Sequence, residues 1–283
     1  MPKPPNPNIF RPMDVPSSIK PYVRRILMAD SSDKAVDMVV NVSATGYHYF
    51  GWTWRGKWEA SVNGNLMFDT DKDGPLHVTG QVKKSDVAVR LKQNIGQVFF
   101  EFSALGHYQV LGITGLQLVE NPATPEALNP ALEPHMARIR DAGETTVNAR
   151  LDLIAEIFDA MPKHTVPSGI IAAIEQVEAA DGDIRIADLA RISGMAERQF
   201  RTLFIKLIGI SPKVFCKILQ INSAFNRILI SNGGDLADVA LRSGFSDQAH
   251  FTRAFGEFLG KAPKSYLKNV EATLERFVGH SRT

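Results

Sequence analysis

The sequence predicts an α+β chain in two parts: a β-rich N-terminal domain (a barrel or sandwich, cupin-like in one reading) followed by helices, then an all-α domain. Three observations predict it. The 283 residues suit two domains at about 100–200 residues each. Short β-favouring runs with turn signals fill residues 22–121. From residue 168 onward nearly everything has a helical period, broken at glycines.

Residues 1–21 hold seven of the 16 prolines, and the expectation there is a tail without regular structure. Strand candidates follow at 36–42, 47–58, 82–91 and 98–102, with Asn63-Gly64 and Asp73-Gly74 as turns. All three Trp (Trp52, Trp54, Trp58) fall within 12 residues of Tyr47. Tyr49, Trp52 and Trp54 are therefore candidates for an effector pocket, against the plainer alternatives of a core or a dimer interface. Pro122 and Pro125 open a helical connector, 122–167, in which Leu151, Ile154, Ala155 and Phe158 share a helix face. That face suits coupling, dimerisation or packing on its own domain. Residues 168–283 form the last unit.

Composition narrows the chemistry. Hydrophobic residues at 44% and charged residues at 22% are ordinary globular values. The net charge is +2, but 166–283 holds 15 Lys and Arg against 12 Asp and Glu. The single cysteine, Cys216, excludes an intrachain disulfide and any multi-cysteine zinc site. His48, His77 and His107 lack metal-ligand spacing, so no metal and no cofactor are expected. Phe102–Val119 is uncharged but too polar and glycine-rich for a membrane helix. With no signal-peptide pattern, the expectation is a soluble cytoplasmic protein that does not meet the membrane.

The sharpest signal is an internal repeat. Asp188-Leu189-Ala190-Arg191-Ile192-Ser193-Gly194-Met195 matches Asp238-Val239-Ala240-Leu241-Arg242-Ser243-Gly244-Phe245 at an offset of 50. Phe200, Phe204, Gly209 and Pro212 then match Phe251, Phe255, Gly260 and Pro263 at an offset of 51. Each unit reads as a short helix, a glycine turn and a longer helix, which is helix-turn-helix chemistry. A helix from Pro212 to about Ile230 joins the units. At ~1.5 Å per residue it is roughly 28 Å long, close to the ~34 Å of one B-DNA turn. Such a rod can set two helices in successive major grooves. A basic run, Arg185 to Lys217, supplies phosphate-neutralising charge.

The segment 168–269 resembles the DNA-binding domain of the AraC/XylS family of bacterial transcription regulators. The resemblance rests on Gly209-Ile210-Ser211-Pro212, on Gly244 through Phe255 (GFSDQAHFTRAF) and on Gly260-Lys261-Ala262-Pro263-Lys264-Ser265-Tyr266. It implies seven helices with two helix-turn-helix units and a nucleoid-associated, bacterial setting. Helices near 196–207 and 247–258 would then enter the grooves of double-stranded DNA. Arg198, Arg201 and Thr202 would lie over bases from the first helix, and Gln248, Ala249, His250, Thr252 and Arg253 from the second. Arg185, Lys213 and Lys264 are phosphate candidates at helix starts. The chain departs from the family in carrying Gln220 and Thr202 where arginine is usual. The N-terminal region also resembles, more weakly, a domain of unknown function joined to such DNA-binding domains, carried by Gly80-Gln81-Val82, Val98 to Phe102 and Leu111-Gly112.

The resulting expectation is a sequence-specific regulator, not an enzyme, whose N-terminal domain senses a small-molecule effector or dimerises. RNA polymerase and a second copy of the chain are further candidate partners. Two other readings compete: a cupin-type metal enzyme, and an architectural DNA-binding protein without sequence preference.

Overall fold

The computed structural model describes residues 9–259 except 33, 42–43, 83–86 and 232–234, together with 262–263. Seven strands form one antiparallel sheet: β1 Phe10–Met13, β2 Val23–Asp30, β3 Val36–Asn41, β4 Tyr49–Val62, β5 Asn65–Asp69, β6 Leu76–Thr79 and β7 Val87–Phe102. A one-turn helix, α1 (Thr70–Asp73), follows β5. The two long strands β4 and β7 pair along their whole length. β2 and β3 share the outer edge of β7, and β5 and β6 share the outer edge of β4. β1 continues the sheet beyond β2.

Local chemistry explains several of these choices. Asn63 and Gly64 both have positive φ (50° and 76°), the geometry of a two-residue hairpin joining β4 to β5. The runs read from sequence as 82–91 and 98–102 meet in one strand, β7, which begins at Val87; 83–86 lie outside the described residues. From residue 9 on, the proline-rich segment is more ordered than its composition suggests; 1–8 lie outside the described residues. Phe10–Met13 pairs with β2, and Pro12 is tolerated because β1 is an edge strand. Ile19 is fully buried.

The β4–β7 ribbon is irregular at its middle. Register shifts fall between Thr53 and Arg55 and between Arg55 and Lys57, where Gly56 has φ +75°. An extra residue in a strand switches which side chains face which way. Phe50 and Trp52 therefore pack in one core, with Phe100, Phe102 and Val98. Trp58 and Ala60, of the same parity, pack in the other, with Leu91, Phe68 and Met38.

The connector folds onto the first of these cores. Helices α2 (Gly106–Leu111), α3 (Pro125–Leu128), α4 (Glu133–Arg140) and α5 (Val147–Ala160) follow the sheet. Leu151, Ile154, Ala155 and Phe158 are buried against Phe50, Phe100 and Phe102. The apolar face of α5 is thus occupied by its own domain. Arg150 on α5 lies 4.6 Å from the Trp52 ring and 5.0 Å from that of Trp54.

Six further helices complete the described chain: α6 Ser168–Ala179, α7 Ile186–Ser193, α8 Glu197–Ile208, α9 Pro212–Ile230, α10 Leu236–Arg242 and α11 Gln248–Leu259. Two cores hold them, one around Phe200, Phe204, Leu207 and Phe215, the other around Phe225, Phe245, Phe251 and Phe255. Of the repeat, Gly260 lies outside the described residues, as do Lys261 and 264–266.

Candidate nucleic-acid interface

α7–α8 and α10–α11 are the two repeat units, each a helix, a left-handed glycine and a second helix. Gly194 and Gly244 have φ +67° and +77°, which non-glycine residues adopt only with strain. Leu189, Phe200 and Phe204 of the first unit are buried, as are Val239, Phe251 and Phe255 of the second. α9 is a continuous 19-residue helix between them. Ser211 caps it by accepting from Val214 N–H at 3.3 Å, and Pro212 stands at its first position.

Burying the aromatic stripe turns the opposite faces outward. On α8, Arg198 and Thr202 are exposed and Arg201 half-buried. Arg201 is held by Glu197 one turn earlier at 2.6 Å, and Thr202 Oγ1 donates back to the Arg198 carbonyl at 3.0 Å. On α11, Gln248, Ala249 and Arg253 are exposed, while His250 and Thr252 are half-buried. His250 is engaged locally. Its N–H donates to Asp247 Oδ1 at 2.7 Å, its Nδ1 lies 3.2 Å from Ser246 Oγ, and its ring meets Phe245 edge-on. Those contacts place the Asp247 carboxylate at the start of α11 and lower its pKa. Arg185 is exposed at the N-cap of α7 and paired with Asp188 at 2.8 Å. Lys213 is exposed in the first turn of α9. Lys264 lies outside the described residues.

Gln220 is buried on α9 and donates to Asp183 Oδ1 at 3.5 Å. A neutral amide thus makes the link from α9 to the loop before α7. Lys217, one turn earlier, places its ammonium 4.3 Å from the Phe245 ring, joining α9 to the second unit. The thiol of Cys216 is buried beside these contacts, and burial pushes its pKa up to about 11. It is a packing residue.

The helical part docks on the N-terminal domain through backbone. An added Cβ at Gly115, in the 3-10 turn Gly115–Leu118, would lie 2.3 Å from the Ile208 carbonyl carbon at the end of α8. Beside it, His107 Nε2 lies 3.1 Å from the Leu207 carbonyl. A carbonyl only accepts, so Nε2 carries the proton and caps the last turn of α8. His107 stacks on His48 at 3.6 Å between centroids, and both are fully buried. The loop before β4 meets α9: Asn222 Nδ2 donates to the Thr45 carbonyl at 3.0 Å, and Tyr47 packs edge-on against Phe215. Tyr47 also donates to Glu178 Oε1 at 3.0 Å, on α6. Sequence reasoning found none of this contact surface.

The other face of the sheet carries a cavity of about 140 Å³. Tyr49 lines it, as the aromatic cluster suggested, but Trp52 and Trp54 do not. Strand alternation puts those two on the opposite face with Arg150. Trp58 replaces them, brought round by the irregularity at Thr53–Lys57. Leu27, Val89, Leu91 and Phe99 add apolar wall. At the polar end, Glu101 accepts from Arg24 at 2.8 Å, from Arg25 at 2.5 Å and from the Tyr49 hydroxyl at 2.6 Å. Burial raises the pKa of both Tyr47 and Tyr49. Among the described residues no group of three or more His, Cys, Asp or Glu is arranged to hold a metal ion, and no helix is long and apolar enough to cross a membrane.

Comparison with known proteins agrees with the repeat. Residues 189–269 match the family described as "Helix-turn-helix domain". An uncharacterized HTH-type transcriptional regulator of Haemophilus influenzae is 25% identical over 193 residues, covering 64% of this chain and 63% of that protein. The HTH-type regulator YidL of Escherichia coli is 31% identical over 86 residues, 30% of this chain and 29% of its own length. Both alignments therefore span less than two thirds of the relatives. Among solved structures, an AraC-type DNA-binding protein of Chromobacterium violaceum is 21% identical, with a TM-score of 0.33, over 38% of this chain and 94% of its own. Residues 189–269 of this chain therefore carry a helix-turn-helix domain.

Proposed function

We propose that this chain is a sequence-specific transcription regulator that reads two successive major grooves with α8 and α11. The observation that carries the reading is the pair of repeat units, each burying one aromatic stripe and turning a polar face outward, fixed to one continuous 19-residue helix. Arg198, Arg201 and Thr202 read bases from α8. Gln248, Ala249 and Arg253 do so from α11, with His250 and Thr252 beside them. Arg bound to guanine and Gln to adenine are the pairings these side chains suit. Arg185, Lys213 and Lys264 hold phosphates. His250 has a second role, as the residue that seats Asp247 and packs on Phe245. The reading assigns no chemical step to the chain.

The N-terminal domain supplies the input. Its cavity receives a small effector, and its docking on the end of α8 relays occupancy to the DNA-reading helices. RNA polymerase and a second copy of the chain remain the partners such a regulator would meet.

Selection of the full chain against a random duplex pool at roughly physiological salt tests the reading. The expected product is a motif of two blocks about one helical turn apart. Equal affinity for all duplexes, with residues 166–283 alone giving the same result, rejects sequence-specific reading and favours the architectural alternative.

A further inference from the structure

The surface on which the helical part docks is built around two neutral histidines. His107, on α2, and His48, immediately before β4, are both fully buried. Their rings stack with centroids 3.6 Å apart and planes 23° apart. His107 Nε2 donates to the Leu207 carbonyl of α8 at 3.1 Å, so this bond joins the two parts of the chain. His107 Nδ1 and both ring nitrogens of His48 have no hydrogen-bond partner among the described residues. Ala104, Leu105 and Tyr108 flank His107 and share one core with Leu189, Phe204 and Leu207. The face that carries His107 is therefore the docking face.

The surroundings decide which protonation state docking accepts. β7 presents Phe102, whose ring lies 6.5 Å from that of His107. Gly80, after β6, packs between His48 and Leu118 of the 3-10 turn. α8 presents a carbonyl. No carboxylate and no cation acts on either ring: His48 is shifted by burial and by His107, and His107 by burial and the Leu207 carbonyl. Glu101, beside Phe102, is taken up by Arg24, Arg25 and Tyr49. A charge on either ring would be buried without a counter-ion, and charging both would put two cations in contact. Docking therefore holds both rings neutral, His107 at about 3 and His48 well below its ordinary value.

Separating the two parts breaks the Leu207 bond and gives His107 to water, where an imidazole titrates near 6.5. No proton has to reach the closed stack, because the open chain binds it and mass action draws on the closed one. A base whose pKa is depressed by docking favours the docked chain above about pH 6.5 and disfavours it as the pH falls below. Each histidine exposed on undocking lowers the ratio of docked to undocked chain by about tenfold between pH 7.5 and 5.5.

We propose that the His48–His107 stack is an acid-sensitive latch, and that mild acidification releases the helix-turn-helix part from the N-terminal domain. The proton is then an input to docking besides the cavity. Only the consequence for DNA rests on the proposed function; the latch itself rests on the docking geometry.

Limited proteolysis of the full chain by proteinase K between α5 and α6, at pH 7.5, 6.5 and 5.5, tests the proposal. Rates are divided by those for a free peptide of the same segment, which removes the pH dependence of the protease. Cleavage then tracks the open population when closing is fast. The normalised rate should rise at least tenfold from pH 7.5 to 5.5, with the near-ultraviolet circular dichroism of the β domain unchanged. His107→Gln keeps an N–H donor for the Leu207 carbonyl and cannot ionise, so its rise should be about one tenth of the native one. His77→Phe should match the native chain, because His77 stacks on Trp58 inside the sheet and touches no helix of the docking face. A flat native profile overturns the latch, as does a His107→Gln profile equal to the native one. Should His107→Gln fail to fold, histidine side-chain 1H–15N spectra of the native chain decide. His107 should stay neutral, with its proton on Nε2, in the docked chain at pH 5.5; a docked His107 that titrates near 6.5 overturns the proposal. Acid release that leaves affinity for the selected duplex equal in the native chain and His107→Gln upholds the latch and removes docking as the relay to DNA.

Discussion

Gly115→Ala probes the docking of the helical part directly. Gly115 does not have positive φ, so alanine strains nothing by itself. Its Cβ, however, would lie 2.3 Å from the Ile208 carbonyl carbon and 2.5 Å from the carbonyl oxygens of Ile208 and Leu207. Ordinary contacts begin at 3.4 Å, so the turn and the end of α8 must separate by roughly 1 Å. All three obstructing atoms are backbone, and no rotamer change relieves them. The His107–Leu207 hydrogen bond, 3.1 Å now, would open to about 4 Å and cease to be one. Leaving that buried pair unmade costs about 1–3 kcal/mol, and the overpacking itself adds about 1 kcal/mol, so about 2–4 kcal/mol is lost from docking. That is roughly 30- to 1,000-fold in the ratio of docked to undocked chain. Limited proteolysis of the segment between α5 and α6 should accelerate accordingly, while near-ultraviolet circular dichroism of the β domain stays native. Unchanged proteolysis together with an unchanged melting temperature would falsify the backbone-to-backbone contact.

Three other outcomes are expected. Gly194→Ala and Gly244→Ala both place alanine at positive φ, costing about 1–2 kcal/mol each. Gly244→Ala should cost more in urea denaturation, because its Cβ would meet the Asp183 carboxyl carbon at 2.5 Å whereas Gly194 faces open space; equal losses would contradict this. Burial holds His48, His77 and His107 below their ordinary pKa, the last two at about 3. The unfolded chain therefore binds more protons below about pH 6.5, so stability is full above that value and falls as pH drops towards 3, by up to about 1.4 kcal/mol per pH unit for each histidine. Urea midpoints at pH 7.5, 6 and 5 should show the slope, and His77→Phe should flatten it by about a third. Arg201→Ala should leave the melting temperature nearly unchanged, since an exposed pair with Glu197 contributes little. It should cost about 1–3 kcal/mol on the selected DNA site and relax one base position, and a uniform loss on all duplexes would move Arg201 to phosphate binding.

The helix-turn-helix half was legible because its information is local. A glycine needing φ > 0, a small residue where helices cross and an aromatic stripe at helical spacing recur 50 residues apart, and each has one structural meaning. The β-sheet half was legible only until the strand irregularity. Strict alternation puts Phe50, Trp52 and Trp54 on one face, as observed, but the extra residues at Thr53–Lys57 switch the parity that such counting assumes. Tyr49 and Trp58 consequently share a cavity that no period-2 reading pairs. The docking surface had no readable pattern, since Gly115, the Ile208 carbonyl and the Thr45 carbonyl act through backbone. That surface matters because it and the cavity share a wall. Thr45, Tyr47 and Gln81 line the cavity, while the same loop bonds Asn222 on α9 and Glu178 on α6. Gln81 holds the Gly46 carbonyl, and Gly46 lies against Phe215 and Leu219. Under the proposed effector reading, occupancy of the cavity would reach the seating of α9 without any long chain of intermediates. A ligand biases DNA binding only by the difference in its affinity for the docked and undocked arrangements, and these shared residues are where that difference arises.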